Sequence, residues 1–462
     1  MNRGFWQTTF VYSVGYLGLR AISFLLLPLY TNLLTPKEAG IVFIIYTLLA
    51  FFNTIYSKGM DSALLKFFHN NNPTTVISTS IIFSLLYSIP LSLLLFIINY
   101  FFLFDTIKST FDNINIITYL LIIVLICDML SSRLMHVIRL LERPFYYLTV
   151  SCVNVLSSIS LNIYFIKYLN FGLYGAILAL VFTVILQLFL LMPILIMHTK
   201  ISYFNYRLLK KMLAFSSPFL PASIFFILIE LSDRWMLGWL SSLENVGLYS
   251  VGYKIGAIVL LLVRAFNLNW QPFYLKHTNN HRQFESIGTK SIISMIYITT
   301  LLSILWPLIL KIQINNYYLI GEQFWDGGVI IPIISISYIF YGIFILQMPS
   351  IYLKNKQHWV PYFWGIGFLF NFVGNCIFIP KYGFLGASLA TLLSYFVMAL
   401  LLIYKNKSWL PIHYRTQPIF TITCMSVLAY SLSQIYSNTL MIIICPYLIF
   451  GISYIYYIQK KL

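Results

Sequence analysis

Long apolar runs follow one another along the whole chain, and they limit its fold more than any other feature. A helix that crosses a bilayer needs about 20 mostly apolar residues. Fourteen such stretches are legible, near 8–33, 39–57, 76–104, 114–139, 145–168, 172–197, 216–241, 246–271, 287–313, 328–352, 359–379, 383–405, 417–436 and 439–458. The connections between them are short, so no soluble domain is expected. A spanning β-barrel would instead show segments of about ten alternating residues. The expectation is an all-α membrane protein with 14 transmembrane helices. The run after Arg3 is too long for a cleavable signal peptide, and no small-residue cleavage site follows it. It reads as the first retained helix.

The charges sort by loop. Of 29 Lys and Arg, 20 lie at the N-terminus, in or beside the even-numbered loops, or at the C-terminus; Lys58, Lys66, Arg133, Lys210 and Lys407 are among them. Five (Lys37, Lys108, Lys167, Lys311 and Lys381) lie on the other side. Cytoplasmic loops carry the excess of positive charge, which puts both termini in the cytoplasm and fits an even helix count. The net charge of +17 then reflects topology and attraction to anionic headgroups, and no nucleic-acid partner is expected. The five cysteines fall within apolar runs with no CxxC spacing, so they read as small apolar residues and not as a metal or disulfide framework.

Four cations remain, and they fall inside apolar runs: Arg20, Arg234, Lys254 and Arg264. A cation at the bilayer centre costs about 2.5–3.5 kcal/mol on insertion scales, so such residues tend to face a cavity. Few acids accompany them, which points to an anionic passenger. Tyr12, Tyr16 and Arg20 recur every four residues and share a helix face. Arginine's planar fork of donors suits a pyrophosphate, and tyrosine can stack on sugar rings. Arg264, Asn267 and Gln271 form one polar face of the eighth helix. On a straight helix Lys254 would be turned roughly 80° from Arg264 and lie ~15 Å along the axis. The seventh helix carries Glu230, Asp233 and Arg234. The spacing of Glu230 and Arg234 permits an intrahelical ion pair. The alternative is that Glu230 or Asp233 couples a proton or sodium ion to transport. Asp128, midway along the fourth helix, has the same two readings, as an ion-coupling group or as the partner of Arg133 or another cation.

No catalytic set, HExxH or P-loop is present, so no enzyme activity, metal or cofactor is expected. Energy would come from an ion gradient, the membrane potential or consumption of the cargo downstream.

Two segments repeat. FGLYGAILAL from Phe171 matches YGFLGASLAT from Tyr382, with Gly172 and Gly383 offset by 211 residues. LLTPKEAGIVFIIY, ending at Tyr46, matches SLENVGLYSVGY, ending at Tyr253, with Gly40 and Gly247 offset by 207. Both repeats start at an odd-numbered helix and so share orientation. The expected division is 1–205 and 206–410 as six-helix bundles, with 411–462 as two additional helices. Duplicated halves are a signature of transporters.

Several of these patterns resemble a family. The stretch MLAFSSPFLPASIFFILIELSDRWMLGWL from Met212, followed by VGLYSVGYKIG, is similar to the seventh and eighth helices of bacterial polysaccharide-biosynthesis membrane proteins. LLTPKEAGIVFII, GMDSALLKFF from Gly59 and WQPFYLKH from Trp270 resemble further elements of them. That family belongs to the multidrug/oligosaccharidyl-lipid/polysaccharide exporter superfamily, and O-antigen-type flippases are its most similar branch. The resemblance implies a V-shaped pair of bundles around a central cavity, alternating access and a lipid-linked oligosaccharide cargo. It further implies the bacterial inner membrane, a role in O-antigen, lipopolysaccharide or capsule synthesis, and a polysaccharide polymerase and chain-length regulator as partners. Arg20 and Arg264 resemble part of the cationic cavity of lipid II flippases, whose second-helix arginine has no clear counterpart here. A lipid II-type flippase and an ion-coupled multidrug exporter are the alternatives within the fold; an exporter of cations would be expected to carry a predominantly acidic cavity. A polymerase or glycosyltransferase would be expected to carry a large extracytoplasmic loop, and no loop here is long enough.

Reporter fusions test the topology. Fusions after Lys210 and Lys407 should report the cytoplasm and one after Asn315 the outside; a reversed signal at any of the three contradicts it.

Overall fold

The computed structural model describes residues 22, 24–68, 71–102, 114–217, 219–276, 281–314, 317–435 and 440–461. Most of the expected first helix, with Tyr12, Tyr16 and Arg20, lies outside the described residues. The described chain is helical almost throughout, with one antiparallel hairpin of β1 (Gln313–Ile314) and β2 (Tyr317–Tyr318). Among the described residues nine helices are long and apolar enough to cross a bilayer, or ten if a pair bent by 43° is one span. The protein is therefore a multi-pass membrane protein.

The chain divides into two compact units, Met1–Ile227 and Leu228–Leu462. The first contains α1 (Leu27–Leu33), α2 (Pro36–Ser57), α3 (Met60–Phe67), α4 (Pro73–Phe102) and α5 (Ile114–Leu140). There follow α6 (Pro144–Asn162), α7 (Gly172–His198) and the short α8 (Tyr206–Ser216). Met60, Leu64, Leu134, Ile138, Leu191 and Met212 are buried together in its core. Helix α9 (Phe219–Leu240) begins before the division and continues past it.

The second unit continues with α10 (Leu243–Gly256), α11 (Ile258–Lys276), α12 (His281–Leu310), the hairpin, a 3-10 turn (Glu322–Ile330), α13 (Ile331–Leu346) and α14 (Pro349–Leu353). It ends with α15 (Val360–Trp409), α16 (Thr416–Ile435) and α17 (Leu440–Lys461). Helix α13 packs on α12 and α15. The last two helices pack on α12 through Tyr297, Ile304, Ala429 and Tyr447.

Three of the expected runs, 216–241, 359–379 and 383–405, have features that bear on the site. Residues 359–379 and 383–405 are two helices that meet at a kink at Gly383 (φ 55, ψ −130), and the 50 residues of α15 take in both. Helix α9 lies within the expected run 216–241 and carries three charges, Glu230, Asp233 and Arg234.

The repeated segments share local geometry. Thr35 and Glu38 form a capping box at the start of α2: the Thr35 hydroxyl accepts from the Glu38 N–H at 3.3 Å, and the Glu38 carboxylate accepts from the Thr35 N–H at 2.9 Å. Ser242, also 207 residues on, caps α10 by accepting from the Asn245 N–H at 3.1 Å. Gly172 and Gly383 both have positive φ, 48° and 55°, a region that side chains disfavour. A side chain at Gly175 or Gly386 would run into the backbone of Phe165 or Phe378 respectively. The first unit holds two more residues between these contacts than the second, and there Ile163–Tyr168 winds as a π-helix.

Helix α2 covers the second expected span, 39–57, and a break follows it. Lys58 (φ 47) and Gly59 (φ 67) are both left-handed, which ends α2 and separates it from α3. Arg133, from α5, reaches across this break. Its guanidinium donates to the Ser57 carbonyl at 3.3 Å and to the Ser80 hydroxyl at 2.9 Å, and its Nε lies 3.2 Å from the Asp61 carboxylate. Arg133 is 0% exposed. Two expectations change accordingly. Arg133 is not a loop-flanking cation, and its partner is Asp61 and not Asp128.

Removing one partner of a buried ion pair strands the other charge, at a cost of about 3–5 kcal/mol. Asp61 is 26% exposed, so Arg133→Ala should cost nearer the lower value. Thermal unfolding in detergent should show Arg133→Ala/Asp61→Ala losing less than the sum of the single variants. Full additivity would refute the coupling.

Candidate functional site

The second unit gathers buried polar groups from α9, α10, α11, α13 and α15. Its centre is Asp233 on α9, 0% exposed. One carboxylate oxygen accepts from the Tyr249 hydroxyl at 2.6 Å and from Thr391 at 2.7 Å. The other accepts from the Asn375 amide at 2.7 Å. The same amide nitrogen donates to the Asn371 oxygen at 3.1 Å. A carboxylate is acceptor-only, and three neutral donors from α10 and α15 answer it here.

Glu230 lies one turn earlier on α9. Tyr395 donates to its carboxylate, and the Tyr338 hydroxyl stands 3.3 Å away. Tyr338 is also hydrogen-bonded to Tyr253. The Arg264 guanidinium, on α11, approaches Glu230 to 3.9 Å and keeps 39% of its side chain exposed.

The expected ion pair between Glu230 and Arg234 does not form. Arg234 donates to the backbone carbonyl of Glu230 at 2.9 Å. Its guanidinium lies 4.3 Å from the centre of the Tyr253 ring and 5.4 Å from that of Tyr249. Cation–π contact and a backbone carbonyl hold this buried cation where a carboxylate was expected. The straight-helix relation between Lys254 and Arg264 fails too. Lys254 is on α10 and Arg264 on α11, and the two helices meet at a 43° bend. At that bend a side chain on Gly256 would come within 2.9 Å of Ile334. Lys254, Asn267 and Gln271 are half-buried.

Asp128, in the first unit, is distant in sequence from this cluster and accepts from the Asn53 amide at 2.5 Å. Arg20 and Tyr16 lie outside the described residues. Among the described residues no group of His, Cys, Asp and Glu could hold a metal ion, and the five cysteines are free.

Sequence reasoning found the charges and missed the groups that answer them: Tyr249, Thr391, Asn375, Tyr338 and Tyr395. Tyr249 and Tyr253 had a signal, a one-turn spacing in the VGLYSVGY segment. Thr391 and Tyr395 stand more than 150 residues from the acids they serve, and no local pattern announces such a pairing.

The chain belongs to the polysaccharide biosynthesis protein family, whose model matches residues 5–272. No curated protein matches it by sequence. Its fold is similar to those of a lipid II flippase and of multidrug transporters. The structure of lipid II flippase MurJ in an inward closed conformation aligns with a TM-score of 0.69 at 15% identity, over 98% of both chains. An inward-facing multidrug resistance MATE family transporter of the MOP superfamily aligns with a TM-score of 0.61 at 10% identity, over 87% of this chain and 95% of that one. A mutant form of the Vibrio cholerae MATE transporter VcmN aligns with a TM-score of 0.58 at 15% identity, over the same shares.

The Asp233 network makes a polarity prediction. Asp233→Asn keeps the shape but gives up an acceptor: with its NH2 toward Asn375 two donors face each other, and with it toward Tyr249 and Thr391 both hydroxyls must turn from donating to accepting. It should lower stability by about 1–3 kcal/mol, the cost of an unmatched buried polar group. Asp233→Asn/Asn375→Asp restores a donor–acceptor match and should regain part of the melting temperature. A double variant no more stable than Asp233→Asn would contradict the network.

Proposed function

We propose that this protein is a flippase and not an enzyme. It translocates an undecaprenyl-pyrophosphate-linked oligosaccharide repeat unit, of O-antigen or capsule type, from the cytoplasmic to the outer leaflet of the bacterial inner membrane. A diphosphate head cannot cross hydrocarbon unaided, while a polyprenyl tail stays in lipid. A carrier needs cations for the head and two states that expose them to either face in turn. The observation that carries the reading is Arg264, a guanidinium on a membrane helix that keeps 39% of its side chain exposed. Its carboxylate, at 3.9 Å, is also engaged by tyrosine hydroxyls.

In this reading Arg20, Tyr16, Arg234, Lys254, Arg264, Asn267 and Gln271 serve the cargo. The chain has fourteen spans with both termini cytoplasmic, as two six-helix halves, 1–205 and 206–410, plus the pair in 411–462. Glu230, Asp233 and Asp128 are the groups through which a proton or sodium ion would couple to transport. No cofactor is needed, and a polymerase and chain-length regulator act on the product.

Depleting the protein should leave the lipid-linked saccharide on the cytoplasmic leaflet and stop surface polymer. Complementation by Arg264→Ala should fail, with transport down about 10- to 100-fold, the worth of a charge-assisted hydrogen bond. Lysine should restore only part, because it lacks the bidentate fork. Normal export by Arg264→Ala at equal membrane abundance would remove Arg264 from the site. Accumulation of lipid II in place of a repeat unit would reassign the cargo.

A further inference from the structure

Helix α8 and the turn before it form a surface that the transport reading does not use. The apolar face of α7 reaches Ile196 and Met197, which are 70% and 59% exposed. Within four residues the chain turns through Ile201–Tyr203, and α8 starts at Tyr206. The turn is fixed in place. The Lys200 N–H donates to the Ser78 hydroxyl at 3.0 Å and the Asn205 N–H to the Thr79 hydroxyl at 3.1 Å, both on α4. On its inner face α8 buries Leu208, Leu209, Met212 and Ser216. A side chain at Gly59 would meet the Ser216 carbonyl at 3.1 Å, so α8 is seated against the break between α2 and α3.

The outer face is different. Lys200, Arg207, Lys210 and Lys211 are exposed there, and no acid occurs between residues 198 and 217. Among the described residues none of the four has an ion pair. Exposed apolar and aromatic side chains sit among them: Ile201 at 85%, Tyr206 at 71% and Tyr203 at 42%.

We infer that this face is a docking surface for anionic phospholipid headgroups of the leaflet it borders. Charge selects the partner's sign, and the apolar side chains select its kind. An acidic protein or nucleic acid would match the cations but would leave Ile201 and Tyr206 in water. A lipid surface takes both, with the cations at the phosphates and the apolar groups at the acyl boundary. The position agrees, because the surface begins where the lipid-facing stretch of α7 ends. The bound headgroups hold α8, and α8 bears on the break clasped by Arg133. The inference rests on the membrane placement and not on the identity of the cargo.

The test uses the full-length protein in nanodiscs of phosphatidylcholine and phosphatidylglycerol, with retained lipids counted by native mass spectrometry. Wild type should retain phosphatidylglycerol in preference, and added salt should weaken the preference. Arg207→Gln/Lys210→Gln/Lys211→Gln should lose about fivefold in relative retention for each charge removed. Lys354→Gln/Lys407→Gln/Arg415→Gln, three exposed cations of the second unit that are not part of this surface, should lose clearly less than the α8 variant. The inference is overturned if wild type shows no preference, or if the α8 variant, inserted and monodisperse, retains phosphatidylglycerol like wild type. It is equally overturned if both triple variants lose retention alike. None of these outcomes bears on export of the saccharide lipid, so this inference and the transport reading fail separately.

Discussion

A charge inside an apolar span must find its partners within the protein, because hydrocarbon offers none. That constraint organises both units. In the second, Asp233 draws Tyr249 from α10 and Thr391 and Asn375 from α15 onto α9. In the first, Arg133 draws Ser57, Ser80 and Asp61 together and closes the gap left by two left-handed residues. These networks tie helices that apolar packing alone would leave free to slide, since side chains of similar shape are interchangeable in lipid. They also supply hydrogen-bond and ionic partners to charges that water does not reach. Asp233 and Arg133 are fully buried, with partners on several helices. Arg264 lies 3.9 Å from the Glu230 carboxylate and stays partly exposed.

Much of the fold was legible because it follows from local sequence. Apolar runs long enough to span gave the membrane class and most of the helices. The offsets of 207 and 211 residues pointed to duplicated segments, and these carry matching caps at Thr35 and Ser242 and matching left-handed glycines at Gly172 and Gly383. Breaks were harder to read. Gly59 and Gly383 lie at or beside the edges of expected runs, but close packing also favours glycine in a membrane helix. Only their backbone angles distinguish a break from a contact. The 43° bend between α10 and α11, inside the expected run 246–271, was missed.

The candidate site was legible in its charges and not in its partners. Helical spacing placed Glu230 and Arg234 on one face, and a pair between them was the natural reading. The structure turns Arg234 onto a backbone carbonyl and two tyrosine rings, and gives Glu230 to tyrosines of α13 and α15. Local spacing cannot weigh an aromatic face 19 residues away against an acid one turn away. The same limit hid the pairing of Arg133 with Asp61.

The central claim is that the cations recognise a diphosphate head and carry it across the bilayer. The most direct measurement is flipping in vesicles that contain only the purified protein, given two polyprenyl-linked saccharides with the same sugar and tail, one joined by a pyrophosphate and one by an uncharged linker. The account predicts that wild type moves the pyrophosphate lipid to the opposite leaflet, leaves the neutral one behind, and loses this preference in Arg264→Ala. Equal movement of both lipids, or an undiminished preference in Arg264→Ala, would contradict it.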